Sequence, residues 1–109
     1  DSYDEILEDD CVISVGRIKL ETILTPGHTP GSMCFKVSDK PILFSGDTLF
    51  PGGPGATQFE GGNFEKIIES IDRRLFILDK ETVVLPGHGE NTTIGDERPH
   101  LDEWVDRGW

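Results

Sequence analysis

Short runs of apolar residues, bounded by glycine, proline or small polar residues, predict a series of β-strands. These runs are Cys11–Val15, Ile18–Thr25, Met33–Val37, Pro41–Ser45 and Glu81–Leu85. Gly16 and Arg17 separate the first two runs, which predicts a β-hairpin. The run Pro41–Ser45 is apolar almost throughout, which is typical of a strand covered on both faces.

A longer run, Asn63–Asp79, shows the three- and four-residue spacing of an amphipathic helix. Its apolar face comprises Phe64, Ile67, Ile68, Ile71, Leu75 and Leu78. Asn63 is a favourable N-cap residue, and Glu69 and Arg73 stand four residues apart on another face. We expect this helix to pack against the sheet.

The last part of the chain, from Thr92 onward, predicts short helical pieces around Pro99. The residues expected to pack there are Leu101, Trp104 and Val105. The segment Pro51–Gly62 is rich in glycine and proline and predicts a loop. The order of elements predicts an α/β (α+β) fold, in which helices cover one face of a mixed β-sheet and loops gather at one edge.

Length and charge limit the possible partners. The 109 residues form one domain at most, and a hydrophobic share of 35% allows a modest core. The 10 Lys and Arg residues against 21 Asp and Glu residues give a net charge of −11. Nucleic acids and anionic membrane surfaces attract basic patches, so we expect neither as a partner. The acidic start, Asp1–Asp10, is expected to be a solvated lead-in.

The two cysteines, Cys11 and Cys34, lie in apolar runs of strand type and lack C-x-x-C spacing. We therefore expect them to act as small core residues rather than as a disulfide framework or metal ligands. Two cysteines without a disulfide pattern favour a reducing, cytoplasmic location.

Three predicted strands end at a residue that can bind a metal ion. The segments T-P-G-H (25–28) and L-P-G-H (85–88) each present a histidine after Pro-Gly, and S-G-D (45–47) presents a carboxylate. Imidazole and carboxylate groups suit zinc, iron or manganese, so the candidate ligands are His28, Asp47 and His88. A histidine in an apolar context is more often structural, and Asp47 after Gly46 could be a turn residue. The repetition at three strand ends favours metal binding.

Three longer motifs contain these residues: T-P-G-H-T-P-G-S (25–32), L-F-S-G-D-T-L-F (43–50) and L-P-G-H-G-E-N-T-T-I-G-D-E (85–97). In order and spacing they resemble the later motifs of the metallo-β-lactamase superfamily, in its hydroxyacylglutathione hydrolase (glyoxalase II)-like branch. The resemblance implies that His28 binds a first metal, that Asp47 bridges two metals as the catalytic carboxylate, and that His88 binds the second metal. The residues expected to support these ligands by hydrogen bonds are Thr29, Ser32 and Thr48.

The superfamily's first motif, H-x-H-x-D-H, is absent from this chain. In the family it lies upstream, in an N-terminal half that supplies most of the metal ligands. The resemblance therefore implies that residues 1–109 are the C-terminal half of an αββα sandwich. Each metal would find only two protein side chains here, fewer than the usual three. The expected partner is the missing N-terminal half or a second copy of the chain.

A second departure concerns the substrate. Glyoxalase II enzymes follow G-D-T-L-F with a G-C-G-R-type segment and a basic residue that helps to hold glutathione. Here the segment is P-G-G-P-G-A-T-Q-F-E-G-G (51–62), without cysteine or arginine. This departure argues against glutathione thioesters, and the motifs do not identify substrate-binding residues.

The resemblance implies a hydrolase in which a metal-activated water attacks a thioester, a lactone or a similar small-molecule acyl substrate. The expected cofactor is zinc, as one or two ions, with iron or manganese as alternatives. Two other functions fit the same motifs: a mononuclear iron enzyme of the persulfide dioxygenase type, and a non-catalytic structural half-domain. The acidic charge disfavours a nucleic-acid-processing member of the superfamily.

Overall fold

The computed structural model describes residues 9–109. Its strands, in chain order, are β1 (Val12–Val15), β2 (Ile18–Leu24), β3 (Met33–Val37), β4 (Ile42–Gly46), β5 (Leu49–Phe50), β6 (Gly53–Pro54), β7 (Val83–Pro86) and β8 (Thr92–Thr93). Six of them form one sheet in the order β1-β2-β3-β4-β7-β8, whereas β5 and β6 form a separate pair. The five predicted strands are confirmed. The three strands β5, β6 and β8 have two residues each, and the sequence pattern did not predict them.

The sheet is mixed, as predicted. Its neighbouring strands are antiparallel except β4 and β7, which are parallel. Strands β1 and β2 form the predicted hairpin, with Val15 opposite Ile18 next to the turn. Parallel neighbours need a crossover connection, and the long helix lies in the one between β4 and β7. Strands β2, β4 and β7 therefore run in the same direction, and their C-terminal ends share one edge of the sheet.

The long helix begins where the sequence predicts. Helix α1 spans Phe64–Ser70, and the Asn63 side chain accepts a hydrogen bond from the Lys66 backbone N–H. The predicted pair on its outer face is also present, with Arg73 Nη1 3.7 Å from Glu69 Oε2. A π-helical turn, Ile71–Leu75, continues α1.

The helix ends at Leu75 rather than at the predicted Asp79. The backbone N–H of Phe76 donates to the carbonyl of Ile71, five residues earlier, at 2.8 Å. This wider turn changes the helical register. Phe76 consequently enters the core, where its ring centroid lies 6.0 Å from that of Trp104.

The core lies between one face of the sheet and the helices. Its buried residues are Ile23, Cys34, Leu43, Leu49, Ile67, Ile71, Leu75, Phe76, Val84, Ile94 and Trp104. The predicted C-terminal helical pieces are confirmed as α2 (Ile94–Glu97), a 3-10 turn (Arg98–His100) and α3 (Leu101–Arg107). Trp104 is buried, but Val105 is 50% exposed, so its predicted packing role is wrong. One residue step turns a helix by about 100°, which directs Val105 away from the core.

The opposite face of the sheet carries a row of apolar side chains. Phe44 pairs in register with Phe35 on β3 and with Leu85 on β7, which places all three on one face. Phe44 is 41% exposed, whereas Leu43, on the face that meets the helices, is fully buried. The prediction that Pro41–Ser45 is covered on both faces is therefore wrong, because the helices described here pack against the Leu43 face.

Asp9 is bound to the folded chain rather than solvated. Its carboxylate accepts two hydrogen bonds from the Arg74 guanidinium, at 2.7 and 2.9 Å, and one from the Leu24 N–H at 2.9 Å. Arg74 also donates to Asp10 at 2.8 Å. The hydrogen bonds from Arg74 lower the pKa of Asp9 from 3.8 to about 2. The predicted solvated lead-in is wrong for Asp9, and its first eight residues lie outside the described part of the chain.

Among residues 9–109, no helix has the length and apolar character that crossing a membrane requires.

Candidate metal centre

The three predicted ligands follow strands whose C-terminal ends share one edge of the sheet. His28 follows β2, Asp47 comes directly after β4, and His88 follows β7. The N–H of Gly87 donates to the carbonyl of Gly46 at 2.9 Å and joins the exits of β4 and β7. The topology of the sheet thus brings two imidazoles and one carboxylate together.

Asp47 lies between the two histidines and directs one carboxylate oxygen toward each. Its Oδ2 is 3.6 Å from Nε2 of His28, and its Oδ1 is 3.4 Å from Nε2 of His88. Both separations exceed the usual N–H···O hydrogen-bond distance of about 2.9 Å. Two ligands that each lie ~2.1 Å from a tetrahedral ion are roughly 3.4 Å apart. The spacing of these side chains therefore suits metal ligation better than direct hydrogen bonding.

A backbone carbonyl fixes the orientation of His28. Its Nδ1 lies 2.6 Å from the carbonyl oxygen of Ala56. A carbonyl oxygen can only accept, so Nδ1 carries the proton and donates it. In the neutral imidazole, Nε2 then holds the lone pair and faces Asp47. Metal-binding histidines are commonly oriented in this way, and the sequence pattern did not identify Ala56 as the partner.

His88 occupies a more open position. Its side chain is 78% exposed, compared with 24% for His28 and 49% for Asp47. The ring of Phe50, on β5, lies 4.9 Å from the His88 ring between centroids. This ring contact supports His88 on one side while leaving Nε2 directed toward Asp47.

The glycine before His28 has a packing role. Gly27 has a φ of +147°, and a Cβ atom at this position would lie 2.3 Å from the Cα of Ile67 on α1. Its carbonyl accepts a hydrogen bond from the N–H of Asn63 at 2.7 Å. The loop that carries His28 therefore sits directly against the start of α1, which only glycine permits.

The three hydroxyl residues predicted to support the ligands stabilise the loops around them. Oγ1 of Thr29 lies 2.8 Å from Oγ of Ser32, within the loop that carries His28. Oγ1 of Thr48 lies 3.1 Å from Oγ1 of Thr25, which also lies 3.4 Å from the Cys34 thiol. Burial raises the pKa of this thiol, so Cys34 is a neutral core residue, as predicted. A direct role of the three hydroxyls toward the ligands stays a prediction.

The donor set suits an ion but does not complete its coordination. Within residues 9–109, no group of three or more His, Cys, Asp or Glu side chains could by itself hold a metal ion. Each imidazole instead has Asp47 as its neighbour, so each possible ion would find two of these side chains, one imidazole and the shared carboxylate. Structural and catalytic zinc sites usually have at least three protein ligands. The arrangement therefore provides part of one or two sites.

The family model of the metallo-beta-lactamase superfamily matches residues 2–88. The chain is 42% identical over 102 residues to "Probable metallo-hydrolase YqgX" of Bacillus subtilis, covering 91% of this chain and 48% of the relative. It is 39% identical over 87 residues to hydroxyacylglutathione hydrolase GloC of Haemophilus influenzae, covering 80% and 41%. It is 35% identical over 96 residues to the mitochondrial persulfide dioxygenase ETHE1 of Bos taurus, covering 84% and 38%. The chain thus spans about half the length of these relatives, or less.

Solved structures show the same fold. The BLEG-1 B3 metallo-beta-lactamase superposes with a TM-score of 0.82 and 36% identity, covering 90% of this chain and 47% of that structure. TTHA1623 in a di-iron-bound form superposes with a TM-score of 0.74 and 35% identity, covering 84% and 44%. Both superpositions confirm the fold that the motifs predict, over somewhat less than half the length of each solved structure.

Proposed function

The chain belongs to the metallo-beta-lactamase superfamily, and on this premise we propose that it contributes three of the metal ligands of a metal-dependent hydrolase. The proposed substrates are thioesters, lactones or similar small acyl compounds. The observation that carries the proposal is the position of Asp47, whose two oxygens lie 3.6 and 3.4 Å from the two imidazoles at ligand-like spacing.

The residues that would hold the metal are His28, Asp47 and His88. A bound metal ion lowers the pKa of a water molecule and polarises the carbonyl group of the substrate. The hydrogen bond to Ala56 keeps Nε2 of His28 available as a ligand. Asp47 is the proposed catalytic residue, because its carboxylate adjoins both imidazoles and can orient the attacking water by accepting a hydrogen bond.

Zinc is the proposed ion, present once or twice, because two imidazoles and a carboxylate are common zinc ligands. The same donors accept iron or manganese. Iron has a specific argument in its favour, since TTHA1623 has been solved in a di-iron-bound form.

The remaining ligands are proposed to come from outside this chain. Two side chains for each ion are too few, and the chain spans only 48% of YqgX. We propose that an N-terminal half of the same domain supplies the missing ligands, with a second copy of the chain as the alternative. The partly exposed apolar row of Phe35, Phe44 and Leu85 gives either partner a surface to pack against.

Similarity to YqgX and GloC supports hydrolysis, because both are described as hydrolases. The segment 51–62 differs from the glyoxalase II pattern, so the proposed acyl substrates are not restricted to glutathione thioesters. A cytoplasmic location is proposed on the cysteine usage alone.

A second candidate is a mononuclear iron enzyme of the persulfide dioxygenase type. The similarity to ETHE1, at 35% identity over 84% of this chain, supports it. The residues described here fit either candidate, so metal identity and oxygen consumption separate the two.

The test uses the intact protein that contains this chain. We expect purified protein to release thiol from a simple acyl thioester, to lose this activity with a chelator, and to regain it with zinc. Oxygen uptake with an iron-loaded sample and a persulfide would favour the second candidate. An intact protein with neither bound metal nor either activity would contradict both candidates and support a structural role.

A further inference from the structure

We propose that Arg107 and Trp109 form a subsite beside His88 that binds an anionic group of the substrate, such as a carboxylate. The inference rests on the proposed function, since it assigns part of substrate recognition to the same site. It narrows the substrate class to acyl compounds with a negatively charged group a few carbon atoms from the reacting carbonyl.

A cavity of about 270 Å³ adjoins the candidate metal centre. Its wall includes Phe50, Gly52, Ala56, His88, Arg107 and Trp109. Ala56 and His88 belong to the metal centre described above, so a group bound in this cavity lies next to the metal ligands. Pockets for whole ligands usually measure ~300–1,000 Å³. This cavity therefore fits one end of a small substrate.

The charge of the wall favours an anion. Arg107 and His88 are the ionisable side chains among the residues lining this cavity, and no Asp or Glu of the described chain lines it. The chain as a whole carries a net charge of −11. A wall with a cationic side chain and no acidic side chain is therefore the part of this acidic molecule that suits an anionic group.

Arg107 is held in place but retains donors for a ligand. One Nη donates to the Gly52 carbonyl at 3.1 Å, and Nε donates to the backbone oxygen of Trp109 at 2.7 Å. Its Cζ lies 3.9 Å from the centre of the Trp109 ring, so the guanidinium stacks on the indole. A guanidinium has five N–H groups, and a planar, stacked guanidinium is suited to bidentate binding of a carboxylate.

The aromatic walls offer an alternative. The rings of Phe50 and Trp109 would also accommodate a neutral acyl chain. The two possibilities differ in one respect: only an anionic group gains from the charge of Arg107.

The first test measures binding to the metal-free intact protein. Butanoate and butanamide, which differ in charge but little in shape, are titrated at constant ionic strength, and the NMR signal of the Trp109 indole N–H is followed. We expect butanoate to bind at least about 10-fold more tightly than butanamide, and we expect Arg107→Gln to remove this preference. Arg17→Gln is the control, because it removes one positive charge at the opposite end of β2.

The second test measures turnover of S-succinyl and S-butanoyl thioesters of N-acetylcysteamine, which differ by a terminal carboxylate. Arg107→Gln should lower the ratio of kcat/KM values, succinyl over butanoyl, by about 10- to 100-fold, mainly through KM. Arg107→Lys should restore part of the ratio. Since Arg107 also anchors Gly52, thermal unfolding of both variants shows whether the fold is retained.

The outcomes separate the two proposals. If both thioesters are hydrolysed but Arg107→Gln changes neither the ratio nor the butanoate preference, the subsite is wrong and the hydrolase stands. If neither thioester is hydrolysed while butanoate binding depends on Arg107, the proposed reaction is wrong. Equal binding of butanoate and butanamide to the unaltered protein would overturn the subsite directly.

Discussion

At the scale of single residues, Asp47 lies at the centre of the proposed metal site. It directs Oδ2 toward His28 at 3.6 Å and Oδ1 toward His88 at 3.4 Å. One carboxylate thus adjoins both imidazoles, at distances longer than a direct hydrogen bond. Removal of its charge should therefore affect both proposed metal positions.

Asp47→Asn keeps the shape of the side chain and removes its charge. In the intact protein we expect metal affinity to fall by more than about 100-fold, because loss of a residue that only supports a ligand already costs ~10- to 100-fold. Competition with a chelating dye measures the affinity. Asp39→Asn, in the turn between β3 and β4, makes the same charge change away from the site. Equal metal affinity for the two variants would exclude Asp47 as a ligand.

Gly27→Ala tests the close contact between the histidine loop and α1. A Cβ atom would lie 2.3 Å from the Cα of Ile67, so we expect the free energy of unfolding to fall by more than about 3 kcal/mol. Gly16→Ala is the control: its φ is also positive, at +63°, but no atom lies within 4 Å of the added Cβ. Its expected cost is about 1–2 kcal/mol. Urea unfolding measures both, and similar losses would show that the contact with Ile67 can relax.

The sequence predicts which residues meet at the site, but not how they are oriented. His28, Asp47 and His88 follow apolar runs, and this local pattern is visible without a structure. The Ala56 carbonyl that orients His28 lies 28 residues away in a glycine-rich loop. Any residue has a carbonyl, so its side chain gives no signal. The sequence pattern did not identify Arg107 for a related reason. Only the packing of α3 brings this residue to the cavity beside His88.

At the scale of elements, α2 anchors the β5–β6 pair beside the site. The Glu97 carboxylate accepts hydrogen bonds from the N–H of Gly52 at 3.0 Å and from Oγ1 of Thr92 at 2.6 Å. Glu97 is 6% exposed. A buried carboxylate with two donors thus connects the glycine-rich segment to the C-terminal helices.

Glu97→Gln replaces one of these accepting oxygens with an amide nitrogen that cannot accept. We expect the free energy of unfolding to fall by about 1–3 kcal/mol, because one of the two donors to this buried side chain loses its acceptor. Denaturant unfolding measures the loss. Glu103→Gln, on the exposed side of α3, should change stability by less than about 0.5 kcal/mol. A stable Glu97→Gln variant would indicate that the segment is held by other contacts.

The elements also show where sequence patterns fail. The three- and four-residue spacing continues through Leu78, so the pattern extends the helix to Asp79. The π-helical turn is a tertiary effect, since it directs Phe76 toward Trp104. Similarly, the apolar run of β4 gives no information on which face the helices cover, and Phe44 remains 41% exposed.

At the scale of the whole molecule, Arg74 connects the start of the described chain to the helical layer. It binds Asp9 and Asp10, more than sixty residues away in sequence. The pKa of Asp9 is lowered to about 2, so the native state favours its charged form. This contribution to stability is fully present above the ordinary pKa of 3.8 and is lost as the pH falls toward about 2.

Asp9→Asn should therefore reduce the loss of stability between pH 4 and pH 2. The unfolded protein takes up a proton on Asp9 in this range before the folded protein does, and the variant lacks this group. Urea unfolding at several pH values gives the slope of the free energy of unfolding against pH. Asp39→Asn is the control with the same charge change. A slope for Asp9→Asn equal to that of the unaltered protein would show that Arg74 does not stabilise the charged form of Asp9.

Native mass spectrometry of the intact protein, after equilibration with zinc, tests directly whether the three residues bind metal. We expect a mass increase that corresponds to one or two metal ions in the unaltered protein. We expect a His28→Ala, His88→Ala variant to lose at least one of them. A protein that stays metal-free, or that binds the same number of ions without these histidines, would contradict the assignment of His28, Asp47 and His88 as a metal centre.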